Sequence, residues 1–182
     1  MKRTVQVLLG IMAVSAGAFA QADDAALQKA LTAAPKQLAA GATVIKWKAD
    51  FTYDTLRKGT NKLVCYDRSG QPGQQPFAAE CTNLGNLDRA AQNLKFEAMG
   101  DKKTVQAAID AAEKDGTRVK PEFGSVWYHV MGADADHLRT HMTIAVPGAT
   151  TQSLGLPDNN KSGGVWIMNA GTTTAHLMTP GE

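Results

Sequence analysis

Residues 84–116, LGNLDRAAQNLKFEAMGDKKTVQAAIDAAEKDG, decide the fold class. Leu84, Leu87, Ala90, Ala91, Leu94 and Ala98 recur every three or four residues, which is the period of a helix with one apolar face. Gly100 ends that helix. A second one follows, with Val105, Ala108, Ile109 and Ala112 on one side and Gly116 as its stop. The two form a helical hairpin, and their short apolar stripes suit a sheet beneath them rather than a membrane.

On either side of this block the pattern belongs to strands. Residues 42–49 hold Val44, Ile45 and Trp47. Residues 52–56 and 62–66 read as the two arms of a hairpin, joined by Lys58-Gly59-Thr60-Asn61, whose Gly and Asn tolerate positive φ. Beyond the helices, residues 126–131 and 141–146 are strands, the second ending at Pro147. Residues 153–156 fit a helical turn and 157–164 a polar loop. Residues 165–168 and 175–178 close the chain as two more strands. Nearer the start, residues 23–34 make a short helix that Pro35 stops. The expected fold is α+β: a single domain with an antiparallel sheet and the helical hairpin packed on one face.

The N-terminus reads as an address. Lys2 and Arg3 precede an apolar run over residues 5–16, and Ala18-Phe19-Ala20 fits a signal-peptidase site. Residues 1–20 are therefore expected to be a removable signal peptide, and residues 21–182 the secreted domain. The short basic leader points to bacterial export, periplasmic or beyond. No cysteine follows the apolar run, and no other stretch approaches the ~20 apolar residues of a spanning helix, so no stable membrane anchor is expected. Lys2 and Arg3 leave with the leader, so the 19 basic residues fall to 17 and balance the 17 acidic ones. That balance, with no basic cluster, argues against a nucleic-acid partner. About 162 residues remain, enough to bury roughly 70% of the unfolded surface without staples. Cys65 and Cys81 are the only cysteines and should pair in an oxidising compartment. The intervening Ser69-Gly70-Gln71-Pro72-Gly73 and Pro76 read as irregular chain that gains from closure.

Thr55-Leu56-Arg57-Lys58-Gly59-Thr60-Asn61 followed by Cys65 resembles the LR-x-GTN-x-x-x-C segment of an uncharacterised family of bacterial secreted proteins. Residues 141–147 resemble its PHIMILVP strand. Residues 161–168 and 175–180, KSGGVWIM and AHLMTP, resemble its SGGPWVMWKGTPYAHIMVP ending. The chain departs from that pattern at Asn169-Ala170, where the family tends to have Trp-Lys, and at Thr173, where it tends to have Pro. The resemblance runs from residue 42 to 180, loosely in the helical middle. It implies secretion and one fold, points to His141 and His176, and carries no reaction.

All four histidines lie between residues 129 and 176. His129 and Met131 share a strand face, and His176 and Met178 repeat the arrangement. Mixed imidazole and thioether ligands suit copper, with His141, His176 and Met178 as the set. His137 and His141 are spaced for zinc on a helix, but Gly132 before them and the β-forming residues after them oppose a helix there. Trp127 and Trp166 are placed to line an apolar pocket beside His129, His141 and His176. The leading expectation is an envelope protein that binds a small ligand or a soft metal, copper or zinc, without catalysis. The alternatives are a hydrolase-like enzyme using His141 and His176, oriented by Asp134 or Asp136, and a structural or interaction module. Two glycine-rich stretches, at Gly163-Gly164 and Gly171, precede no helix and read as turns rather than phosphate loops.

Overall fold

The computed structural model describes residues 15–179. Most of the signal segment expected over residues 1–20 therefore lies outside the described residues. Helix α1 (Ser15–Leu31) leads, and a short helix α2 (Lys36–Ala39) follows Pro35. Eight strands then form one sheet: β1 (Thr43–Trp47), β2 (Tyr53–Arg57), β3 (Leu63–Asp67), β4 (Phe77–Asn83), β5 (Val126–Gly132), β6 (Leu138–Ala145), β7 (Trp166–Met168) and β8 (His176–Met178). Helices α3 (Leu87–Glu97) and α4 (Lys102–Lys114) separate β4 from β5, and a helical turn, α5 (Thr151–Leu154), separates β6 from β7.

The sheet order is β2-β1-β3-β4-β5-β6-β8-β7, with every neighbouring pair antiparallel except β1 and β3. This is the expected α+β domain, with one correction and one addition. Strands β2 and β3 are not a hairpin. Strand β1 lies between them, antiparallel to β2 and parallel to β3, so the chain after β2 crosses the start of β1. The addition is β4 over residues 77–83, where no strand is expected; the stretch 69–76 before it is irregular as expected. Strand β4 puts Cys81 directly opposite Cys65. The two are bridged (S–S 2.08 Å) and fully buried.

The crossover explains the Gly59-Thr60-Asn61 segment. A side chain on Gly59 would put its Cβ 2.3 Å from the Gly41 carbonyl oxygen and 2.4 Å from the next backbone atoms. Only glycine lets the strands come that close. The amides of Thr60 and Asn61 both donate to Gly41 O, at 2.8 and 3.0 Å. Arg57 closes the other side, donating to the carbonyls of Ala39 and Ala42. Asn61 donates from Nδ2 to Leu38 O and accepts from the Leu63 amide. The segment is a strap over the α2–β1 turn. Gly59 is there for close approach, not for positive φ.

Alternation along the strands divides the core between the two faces. Val44, Leu63, Cys65, Ala79, Cys81 and Val130 meet Ala30 and Ala33 at the end of the N-terminal helical region. Ile45, Val64, Tyr66, Trp127 and Ala145 point the other way and meet Ala90 and Leu87 of α3. Helices thus cover both faces: α1 on one, the α3–α4 hairpin on the other. Asp101 caps α4 by accepting from the amides of Lys103 and Thr104. Gly100 makes the turn before it with φ 81°. Among the described residues no helix is long and apolar enough to cross a membrane.

Candidate functional site

One row of side chains crosses the sheet beneath α3. Tyr66 on β3 stands opposite Glu80 on β4, Glu80 opposite His129 on β5, and His129 opposite His141 on β6. Register places these four residues on the same face. His176 on β8 pairs with Ala145, two residue pairs further along β6 on that face, and so joins them.

The row begins in a buried polar network. The Tyr66 hydroxyl donates to Glu80 Oε1 at 2.5 Å, and Arg68 Nη1 donates to Oε2 at 3.0 Å. Arg68 also pairs with Glu97 of α3 and donates to Gln71. His129 Nδ1 lies 3.4 Å from Glu80 Oε2. Burial pushes the Glu80 carboxyl up, but the His129 charge and hydrogen bond, Arg68 and Tyr66 outweigh it and hold the group down at about 2. Burial, and then the neighbouring Glu80 carboxylate, raise the Tyr66 phenol well above its usual range. Glu80 is therefore an ionised carboxylate under Tyr66, Arg68 and His129.

The row ends in a cleft of about 280 Å³. His129, His141 and His176 line it, with Trp127 at one wall and Arg89 and Asn93 from α3 opposite the sheet. The His129 and His141 rings have centroids 5.9 Å apart and planes tilted by 30°. Burial, followed by the charges of His129 and His176, lowers the His141 imidazole below its usual range. The His176 Nδ1 lies 2.7 Å from the carbonyl of Thr174. A carbonyl only accepts, so Nδ1 carries the proton and Nε2 is left for a ligand. Glu80 has the same consequence for His129, because its carboxylate selects the Nδ1–H tautomer.

Arg89 is 4% exposed and rigidly held. Its Nη1 donates to Val119 O and Thr173 Oγ1, and its Nη2 to Thr174 Oγ1. Burial, then the positive Arg118, lower its guanidinium to about 10. Glu113 of α4 accepts from Thr173 and Thr174 and so ties the β7–β8 turn, and with it His176, to the helical hairpin.

Of the expected ligand residues, Trp127, His129, His141 and His176 share this cleft. Trp166 does not line it, and neither does Met178. Both line a second hollow of about 640 Å³, which His129 and His141 also line, beside Tyr128, Met142 and the Thr32–Pro35 turn. Among the described residues, no three His, Cys, Asp or Glu side chains are grouped to hold a metal ion. His137 sits apart in the β5–β6 turn, its Nδ1 2.8 Å from Asp134 Oδ1. Asp134 is thus spent on the turn, and the carboxylate beside a cleft histidine is Glu80, at His129. Glu80, Arg89 and Thr174 had no sequence signal that set them apart. They are identified by register and by the helix above the sheet.

No protein-family model, curated protein or solved structure matches the chain.

Proposed function

We propose that the protein is an exported envelope module that binds a small organic ligand in the cleft of His129, His141 and His176. The observation that carries this reading is the convergence of three imidazoles from β5, β6 and β8 beside Trp127 in one partly enclosed cleft. Apolar walls with a few fixed polar groups are what small-molecule sites use. The tied Nδ1 atoms of His129 and His176 supply that fixity. A small molecule is favoured over copper or zinc, because no three His, Cys, Asp or Glu side chains gather to hold a metal among the described residues. Export is supported by the leader-like N-terminus, the Cys65–Cys81 bridge, which suits an oxidising compartment, and the resemblance to secreted proteins.

The test is a melting scan of the purified, disulfide-intact protein against small organic ligands, copper and zinc, alongside elemental analysis for bound metal. A ligand that binds only the native state raises the melting temperature. The reading expects a shift with an organic ligand that disappears in a His141→Ala plus His176→Ala variant. A shift that survives in that variant, or stoichiometric metal lost with it, overturns the reading.

Glu80 favours a second reading. A carboxylate behind a histidine whose other nitrogen is open is the arrangement of a general base. His129 would hold the proton taken from a water, since no serine or cysteine lines the cleft. Turnover of an ester panel that falls at least tenfold in Glu80→Gln, with ligand affinity unchanged, would favour the enzyme over the binding module.

A further inference from the structure

We infer that the ligand of the three-histidine cleft is a small oxyanion, a carboxylate or a phosphate, an inference that rests on reading that cleft as the binding site. The cleft has four basic side chains in its lining, Arg89, His129, His141 and His176, and no acidic one. The acids nearby are already engaged. Glu80 lies behind His129 and accepts from Tyr66 and Arg68. Glu113 accepts from the Thr173 amide and from the Thr173 and Thr174 hydroxyls.

More positive charge stands behind the wall. Arg118 is 5% exposed and donates from Nη2 to Asn93, which lines the cleft, and from Nη1 to Gln92. Its Nε is buried with no hydrogen-bond partner among the described residues. Two buried guanidiniums, Arg89 and Arg118, therefore flank a concave surface that carries imidazoles and no counter-charge of its own. A low-dielectric cleft lined by one sign of charge concentrates the opposite sign. An oxyanion would accept from Nε2–H of His176 once that ring takes up its second proton, and from the protonated ring of His141. Trp127 and Pro121 would cover the body of an organic carboxylate.

Proton linkage follows. An anion favours the charged imidazole, so binding takes up protons and weakens as pH rises through the histidine range. The titratable and charged groups packed around these rings are Glu80 from β4, Tyr66 from β3 and Arg68 just beyond it, Arg89 from α3, Glu113 from α4 and Arg118 from the segment after α4. Of the groups around the cleft, only the imidazoles have an ordinary range near neutrality, so they carry the pH response.

The experiment is calorimetric titration of the purified protein with benzoate, benzamide and inorganic phosphate at about pH 6 and about pH 8. Benzamide keeps the shape of benzoate without its charge. The inference expects benzoate or phosphate to bind about tenfold or more tightly at the lower pH, with proton uptake, and benzamide not to bind. Benzoate alone identifies an organic carboxylate, and phosphate alone identifies a phosphate. His141→Gln should weaken the anion about tenfold, and the wild-type pH series stands even if that variant does not fold. Benzamide binding as well as benzoate, and lost in His141→Gln, overturns the anion while leaving the cleft as the binding site. Failure of both anions overturns the anion inference, and a neutral ligand found by the melting scan would still sustain the binding reading.

Discussion

Glu80 and His129 are direct cross-strand partners, with Oε2 3.4 Å from Nδ1, and through this contact a buried charge network reaches the cleft. The network has a stability signature. The folded-state carboxyl is held at about 2 against an ordinary 4.5. A depressed carboxyl contributes stability that is full above its unfolded value and lost as pH falls toward its folded value. Acid unfolding should therefore steepen below pH 4.5 and continue toward about 2. Glu80→Gln should remove that slope and cost about 3–5 kcal/mol at neutral pH, because Arg68 loses a buried partner. Urea unfolding across pH measures both.

His141 has a pH slope of the same sign, at higher pH. Its imidazole is lowered in the folded state by burial and by the charges of His129 and His176. Between the folded and unfolded values the unfolded chain holds more protons, so this group adds stability as pH rises through that window, just below 6.5. Imidazole NMR should find His141 titrating below the ordinary range. His129→Gln should move its midpoint upward by removing a neighbouring charge.

The Cys65–Cys81 bridge closes a loop with a sequence separation of 16 between directly opposed strand residues. Its removal in Cys65→Ala plus Cys81→Ala should lower the unfolding free energy by about 3 kcal/mol in the chain-entropy account. The sheet order should persist, because β3 and β4 keep their ladder.

Gly59→Ala places a methyl against the Gly41 carbonyl and the β1 backbone. The loss should be about 2 kcal/mol or more, since backbone on both sides must move. Gly70→Ala is the control. That glycine has φ +73° and open space around it, so only the conformational penalty of about 1 kcal/mol applies. Equal losses at the two positions would refute the strap.

Much of the frame was legible in residue periodicity. The α3–α4 hairpin followed from Leu84 to Ala112, and β5 and β6 from their β-branched and aromatic runs. Strand β4 was not legible, because Glu80 and Thr82 look like loop residues until Tyr66 on β3, Arg68 just beyond it and Asn86 four residues after Thr82 satisfy them. The β1–β2 pairing was hidden for a different reason. A short Gly-Asn connection suggests a hairpin, and the choice of β1 as neighbour is set by a non-local parallel contact with β3. At the site, His129, His141, His176 and Trp127, the residues that sequence reasoning points to, share one cleft. Their meeting depends on register, which spacing does not encode. Arg89 read as the polar side of a helix, and its place over the cleft comes from how α3 lies on Ile45, Val64 and Trp127.

The most direct test of the central claim, that His129, His141 and His176 form one binding cleft, is histidine-selective NMR during titration with benzoate. The three imidazoles should shift together with one saturation curve, while His137, held by Asp134 in the β5–β6 turn, stays fixed. Shifts confined to one of the three, or as large at His137, would contradict it.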